Sequence, residues 1–405
     1  MKKHYFSAYA GLPRAVYVLF VARTVNSMGF FVAPLLTFIL TQKLGLDAAR
    51  AGSVVALLIL TQAPGVLAGG KLADTVGRKR TMLAGSLAGA FFYLLCACGI
   101  SGGAMIACLI LAADCSALAV PAAEALLADL TAPAQRQAAY SLLYLGINLG
   151  MAISPLLGGL LFQNHLALLF LLDAATTAAA VGLVAAQVPE PPAPQSAAAG
   201  GRTDGAPGLT MFAALRRAPV LTAFLLLLFF YDFCYSQWNF LLPAQFGERF
   251  GGDGARLYSA LSSVNAVTVL LLTPLLTRLT RTLRPLRAVA LAGLFYLAAY
   301  LGFGFGGAYA ADLLAAVLFT LGEICSTIQF GAFVSTRAPR ECLGRINAFS
   351  SLLRGGAGAL GPLLMGRLLT VFGYAAGWRL TAAVVLAAAV GFCLLDRRDR
   401  PAGPQ

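Results

Sequence analysis

Five ionisable residues stand near the middle of long apolar stretches: Arg23, Asp114, Asp232, Glu323 and Arg354. A charge at the centre of a bilayer costs about 2.5–3.5 kcal/mol on insertion scales, so each of these needs a use or a partner. A carboxylate held out of water favours its protonated form, and can bind and release protons near neutral pH as its access to water alternates. Asp232 and Glu323 are the first candidates for such proton coupling, with Asp114 next. The plainer reading makes them fixed ion pairs, such as Glu323 with Arg354 or Asp114 with Arg23. Glu124, toward the end of its apolar stretch, and Asp173, in the outer half of another, complete the charged set. Uncharged groups in the same stretches could shape a cavity: Asn26, Tyr144, Asn148, Tyr231, Gln237, Asn239 and Gln329. Trp238 is either part of that wall or an anchor at the membrane interface. Aromatic and amide edges with few fixed hydrogen bonds suit bulky amphipathic ligands.

Other chemistry is poorly provided for. The chain has 8 cysteines and 2 histidines, and none of them has the spacing of metal ligands. Cys96 and Cys98 read as small apolar residues packed in a helix. The motifs of serine hydrolases, zinc proteases and phosphate-binding loops (G-x-S-x-G, H-E-x-x-H and G-x-x-x-x-G-K-[ST]) are absent. No cofactor and no metal are therefore expected, and without a nucleotide-binding domain the energy source is expected to be an ion gradient, most simply protons.

The elements that must position the charged set are membrane helices. Of 405 residues 59% are hydrophobic, above the share of a soluble globule, and the mean hydropathy is +0.81. Apolar runs of about 20 residues recur between short polar turns. They predict twelve helices: 14–40, 50–70, 81–100, 104–128, 138–162, 166–188, 217–243, 256–277, 288–307, 310–335, 345–370 and 376–395. The first run is too long for a signal segment and is expected to be retained. The net charge of +13 could point to nucleic acid, but its placement argues otherwise. With both termini cytoplasmic, the inner segments carry 21 of the 29 Lys and Arg and the outer segments 6, as the positive-inside rule requires. The expected partners are a small-molecule substrate and the lipid bilayer, with no nucleic acid. The expected state is a monomer in the plasma membrane, a bacterial inner or cytoplasmic membrane.

A Pro-rich and then Ala/Gly/Ser-rich segment divides the helices six and six. The predicted organisation is an N-terminal six-helix bundle over 1–188, a cytoplasmic linker over 189–212, a C-terminal bundle over 213–395 and a tail over 396–405. The halves echo one another, Ser154-Pro155-Leu156-Leu157-x-Gly159 in the fifth helix against Gly361-Pro362-Leu363-Leu364-x-Gly366 in the eleventh. Such repeats predict two pseudo-symmetric bundles with a substrate site near the midplane.

The polar turn between the second and third helices reads Gly70-Lys71-Leu72-Ala73-Asp74-Thr75-Val76-Gly77-Arg78-Lys79-Arg80. It resembles the signature loop of the major facilitator superfamily. The resemblance implies that fold: an all-α membrane protein of twelve helices in two six-helix bundles. It also implies that Asp74 reaches the cytoplasmic start of helix 11 and that Arg78 pairs with Asp129 at the end of helix 4, forming a latch of the outward-facing state. A carboxylate is favoured at a helix N-terminus, and an Arg–Asp pair is geometrically specific. Gly70 and Gly77 are expected to allow the tight turn and close helix approach. Thr75 departs from the pattern, which commonly has a basic residue there.

Gly146, Gly150, Ser154 and Gly158 recur every four residues and lay a small-residue ridge along the fifth helix, which Pro155 can bend. With Gly159, this run is similar to the helix-5 motif of drug:proton antiporters, with Ser154 in place of the usual Gly. That subgroup often carries an Arg in helix 4. Here the region reads Ile110-Leu111-Ala112-Ala113-Asp114, so Arg23 is the expected substitute. The function implied is proton-coupled efflux of cationic or amphipathic compounds by alternating access, and not enzymatic. The alternative is transport of an anionic metabolite, lipid or peptide. A membrane-embedded enzyme or a non-transporting receptor is the remote alternative.

Overall fold

In hydrocarbon every backbone N–H and C=O must be satisfied within the protein, which for isolated apolar runs of this length means helix. The computed structural model describes residues 9–132, 134–190, 215–216, 218–280, 282–337 and 343–399, and their regular structure is helical throughout. Most of the predicted linker, from residue 191 on, lies outside the described residues, as do His4, Pro133, Pro339 and the end of the tail.

Among the described residues, ten stretches are long and apolar enough to cross a membrane. Two are of 62 and 50 residues, Pro219–Thr280 and Phe349–Arg398, far beyond the roughly 20 that one crossing needs. The first is interrupted by single turns at Ser236–Trp238 and Gly251–Asp253. The second is interrupted at Gly373, whose φ of 73° is open to glycine.

In chain order the helices are α1 (Arg14–Met28), α2 (Val32–Phe38, continued by a wide turn at Ile39–Lys43), α3 (Ala48–Thr75) and α4 (Arg78–Ala97). There follow α5 (Gly102–Asp129), α6 (Arg136–Phe162), α7 (Leu166–Gln187), α8 (Pro219–Tyr235) and α9 (Leu241–Phe250). The last are α10 (Gly254–Thr280), α11 (Pro285–Phe305), α12 (Tyr309–Arg337) and α13 (Leu343–Arg398).

Two predicted helices are broken. The first, expected to run unbroken over 14–40, stops at Met28 and resumes at Val32. The seventh, expected over 217–243, leaves α-geometry after Tyr235. There the Ser236 hydroxyl and the Gln237 amide both donate to the Phe233 carbonyl, at 2.7 and 3.0 Å, and so compete for an acceptor the helix would use.

The chain divides into two compact units. One comprises Met1–Gly45, Leu57–Gln195 and Phe250–Ala266; the other comprises Leu46–Ala56, Ser196–Arg249 and Val267–Gln405. The short segments that depart from chain order do so through glycine contacts. In the second unit a side chain at Gly52 would strike the Pro362 backbone, and one at Gly366 the Ala48 carbonyl. In the first unit Gly159 lies against Ser259 and Arg256. The core of the first unit is built around Val16, Leu19, Leu126, Leu127, Ala139, Leu142 and Val184. The second is packed with aromatic rings, including Trp238 stacked on Phe319 at 4.4 Å and Tyr300 on Trp378 at 5.8 Å. Leu67 and Leu271 are among many large apolar side chains on the outside, as lipid-facing surfaces require.

Candidate functional site

The signature-like loop is a turn of two residues, Val76 and Gly77, between α3 and α4. Gly77 has φ 116°, a conformation a side chain would strain, and the Glu190 carboxylate fills the space beside it. Arg78 is ion-paired with Asp129 at the end of α5 and also donates to the Ala125 carbonyl at 3.2 Å. Lys79 closes the turn on its other side. Its ammonium donates to the Ala185 and Val188 carbonyls at the end of α7, at 2.8 and 2.6 Å, while its backbone N–H donates to Glu190 at 3.1 Å. Asp74 is exposed.

The expectation of close helix approach at Gly70 is not met, because nothing lies within 4 Å of the position a side chain would take. At the residue before it, and again five residues earlier, the approach is real. Gly65 and Gly69 lie against the Asp114 and Leu118 carbonyls of α5, which Gly85 and Gly89 of α4 approach in turn.

The small-residue ridge of α6 runs along the first membrane span on both sides of its break. Gly146 faces Phe20 and Thr24, Gly150 faces the Ser27–Met28 backbone, and Gly158 faces Phe31 and Leu35. Ser154 stands at the break and donates to the Phe30 carbonyl at 2.7 Å. Pro155 and Gly159 are buried with it.

The midplane charges are not arranged as the plain pairing expects. In the second unit Arg354 pairs with Asp232 (Nε to Oδ1, 3.3 Å) and not with Glu323. Glu323 instead accepts a hydrogen bond from the Tyr235 hydroxyl at 2.9 Å. Helical spacing explains this grouping. Asp232 and Tyr235 are three residues apart on α8, Glu323 and Phe330 seven apart on α12, and Ser350 and Arg354 four apart on α13, so each pair shares a face. Asp232, Phe330, Ser350 and Arg354 line a narrow cleft with Leu225, Leu228 and Phe229. The Arg354 guanidinium lies 5.5 Å from the Phe330 ring centre. The Arg354 side chain is 56% exposed and Asp232 18%.

In the first unit Glu124, and not Asp114, is the acid that acts electrostatically on Arg23, and both Arg23 and Glu124 are exposed. Asp114 is half-buried on α5, and its Oδ1 has no hydrogen-bond partner among the described residues. Tyr140, which sequence reasoning left out, donates to the Glu124 carbonyl at 3.2 Å.

Several cavity candidates turn inward within their own unit. Tyr231 is buried and donates to the Val289 carbonyl at 3.0 Å. Gln237, Gln329 and Trp238 are buried, and Asn26 is spent on Thr177 at 2.9 Å. A helical wheel seen without its neighbours does not show which polar edge points into the bundle. Tyr144 is exposed, and the half-buried Asn148 folds back on the Tyr144 carbonyl at 2.8 Å. Tyr235, Phe330 and Ser350 were missed, although their spacing from Asp232, Glu323 and Arg354 was a usable signal. Among the described residues no cluster of three or more His, Cys, Asp or Glu could hold a metal.

The helical fold and the paired signature loop agree with comparisons to known proteins. The family profile of the Major Facilitator Superfamily matches residues 19–362, and the chain belongs to that family. It is a multi-pass membrane protein placed among transporters and not enzymes. The 3-(3-hydroxy-phenyl)propionate transporter of Escherichia coli (strain K12) is 27% identical over 89% of this chain and 88% of its own. YqjV of Bacillus subtilis (strain 168), an uncharacterised transporter of the same type, is 27% identical over 58% of this chain and 57% of its own. A Na(+), Li(+), K(+)/H(+) antiporter of Planococcus maritimus is 30% identical over 35% of this chain and 34% of its own. The matches to the last two thus span little more than half, and about a third, of those relatives. Among solved structures, an auto-inhibited peptide transporter of the POT family aligns with TM-score 0.78 at 19% identity, over 97% of this chain and 99% of the other. A bacterial homologue of the lysosomal transporter Spinster, in an inward-facing unoccupied form, aligns with TM-score 0.75 at 17% identity, over 96% and 98%. At these identities the likeness is one of fold.

Proposed function

We propose that the chain is a proton-coupled antiporter that exports cationic or amphipathic compounds by alternating access. The observation that carries this reading is the Asp232–Arg354 pair lining a narrow cleft with apolar and aromatic side chains. Protonation of Asp232 would discharge the pair and release Arg354; deprotonation would restore it. A substrate cation competes with Arg354 for the same carboxylate, so proton and cation exclude one another at one site. That exclusion is the logic of antiport. Arg354 is paired with Asp232, which leaves it committed to an acid in this state and not free as an anion receptor. The Phe229 and Phe330 rings line the narrow cleft beside the pair, an apolar wall that would have to part to admit a bulky cation.

A second reading, an aromatic carboxylate as substrate, is favoured by a specific observation. Arg354 is the more exposed member of its pair and lies over a ring, as a receptor for such an anion would. The Escherichia coli relative that matches along most of its length is named for a hydroxyphenylpropionate.

Proton movement in everted membrane vesicles separates the two, with ethidium as the cation and 3-(3-hydroxyphenyl)propionate as the anion. The antiporter reading expects proton release on adding ethidium, abolished in Asp232→Asn and altered in Glu323→Gln. A response to the anion alone, lost in Arg354→Gln, would replace it with the second reading.

A further inference from the structure

The first membrane span is broken at Gly29–Phe31, and the means of holding it broken come from two other helices of the same unit. On α7, Asp173, Thr176 and Thr177 lie at i, i+3 and i+4, a single polar stripe on a helix otherwise apolar up to its last residue, Gln187. Two members meet the break and the third meets the last turn of α1 before it. One carboxylate oxygen of Asp173, a residue only 5% exposed, accepts from the backbone N–H groups of Phe31 and Val32, both at 3.3 Å. Gly29 is packed so tightly on Thr176 that any side chain there would overlap the threonine. Thr177 takes the Asn26 amide at 2.9 Å. From α6, the Ser154 hydroxyl occupies the freed Phe30 carbonyl at 2.7 Å.

A helix interrupted inside a membrane exposes N–H and C=O groups that have no water to meet, so the interruption survives only where the protein supplies partners. Here it supplies an acceptor for the donors and a donor for the acceptor, each from a different helix. We propose that Asp173 is a positioning residue that holds the first span as two separately oriented half-helices jointed at Gly29–Phe31. It acts through the backbone N–H groups of Phe31 and Val32 at the start of the second half. The proposal is independent of substrate and coupling ion.

The test is backbone hydrogen exchange on the purified full chain in detergent micelles, comparing peptides that span 29–38 with those from 14–27 and from α5. Asp173→Leu removes the acceptor, and exchange over 29–38 should rise at least tenfold while the reference peptides stay within threefold. Asp173→Asn keeps an acceptor oxygen in place and should restore the wild-type pattern. A rise spread evenly over the unit, or an asparagine variant as defective as the leucine one, would overturn the proposal. Should Asp173→Leu fail to fold, Ser154→Ala removes only the donor. It should still raise exchange at the same peptides by at least threefold, and no change there would equally overturn the assignment.

Discussion

Two carboxylates, Asp173 in the first unit and Asp232 in the second, show how differently an acid can be kept inside a membrane. Asp173 is almost wholly enclosed and is satisfied by the main-chain N–H groups of Phe31, which also donates to the Gly29 carbonyl, and of Val32. Asp232 is satisfied by one long side chain, itself more than half exposed, at the edge of a cleft. Backbone donors make a fixed joint, whereas a guanidinium on a flexible stem makes a contact that can be exchanged for a proton or a ligand. In the proposed antiporter the same residue type would serve architecture in one bundle and chemistry in the other.

Stability is the measurement that would break this contrast first. Asp173→Leu leaves Val32 N–H without an acceptor and weakens the position of Phe31, and an orphaned buried donor costs about 1–3 kcal/mol. The expected outcome is a clear drop in the thermal midpoint in detergent, largely recovered in Asp173→Asn. A drop no larger than that of Asp232→Asn would make the two acids equivalent and end the comparison.

Next in size is Gly150→Val. A side chain at Gly150 would press on the Ser27 carbonyl carbon at 2.7 Å and the Met28 nitrogen at 2.8 Å, backbone atoms that yield only if the whole first span moves. Overpacking of this kind costs about 1–3 kcal/mol. Proton movement should fall along with stability, because the ridge positions both halves of the broken span.

For the Asp232–Arg354 pair the stability effect should be small and the functional effect large. Pairs this exposed are worth at most about 1 kcal/mol, so a double-mutant cycle of Asp232→Asn and Arg354→Gln should return a coupling below that value. The same single variants should abolish the proton response to ethidium. A coupling of several kcal/mol would instead mark the pair as structural, like Asp173.

How far these sites could be read in advance follows from what a linear pattern records. Apolar runs mark long helices, so most of the spans were legible, with Asp232, Glu323 and Arg354 inside them. The four-residue spacing of Gly146, Gly150, Ser154 and Gly158 gave one packed face, and the resemblance of the loop gave Arg78 with Asp129. Direction around each helix was not legible, and this is why Arg354 was matched with Glu323 and Tyr231 was set facing a cavity. The break at Gly29 was hidden for another reason: the carboxylate that meets it, Asp173, is more than a hundred residues away in the chain. The polar triplet Asp173, Thr176 and Thr177 was the visible sign that α7 had something polar to hold.

The smallest expected effect concerns Gly70, which the loop resemblance made a point of close helix contact. It sits within α3 with nothing within 4 Å of its missing side chain, while Gly69 beside it is pressed on Leu118. Alanine is favoured over glycine inside a helix by roughly 1 kcal/mol at most, so Gly70→Ala should be neutral or slightly stabilising. Gly69→Ala should be destabilising, because its Cβ would meet the Leu118 backbone. The proton response to ethidium then assigns the role of Gly70. An unchanged response in a slightly stabilised Gly70→Ala variant would place the requirement for glycine in this loop at Gly69 and Gly77. A stabilised variant that has lost the response would mean that Gly70 needs its open space at another stage of the transport cycle, since a residue making no contact here can be limiting only where the bundles have moved.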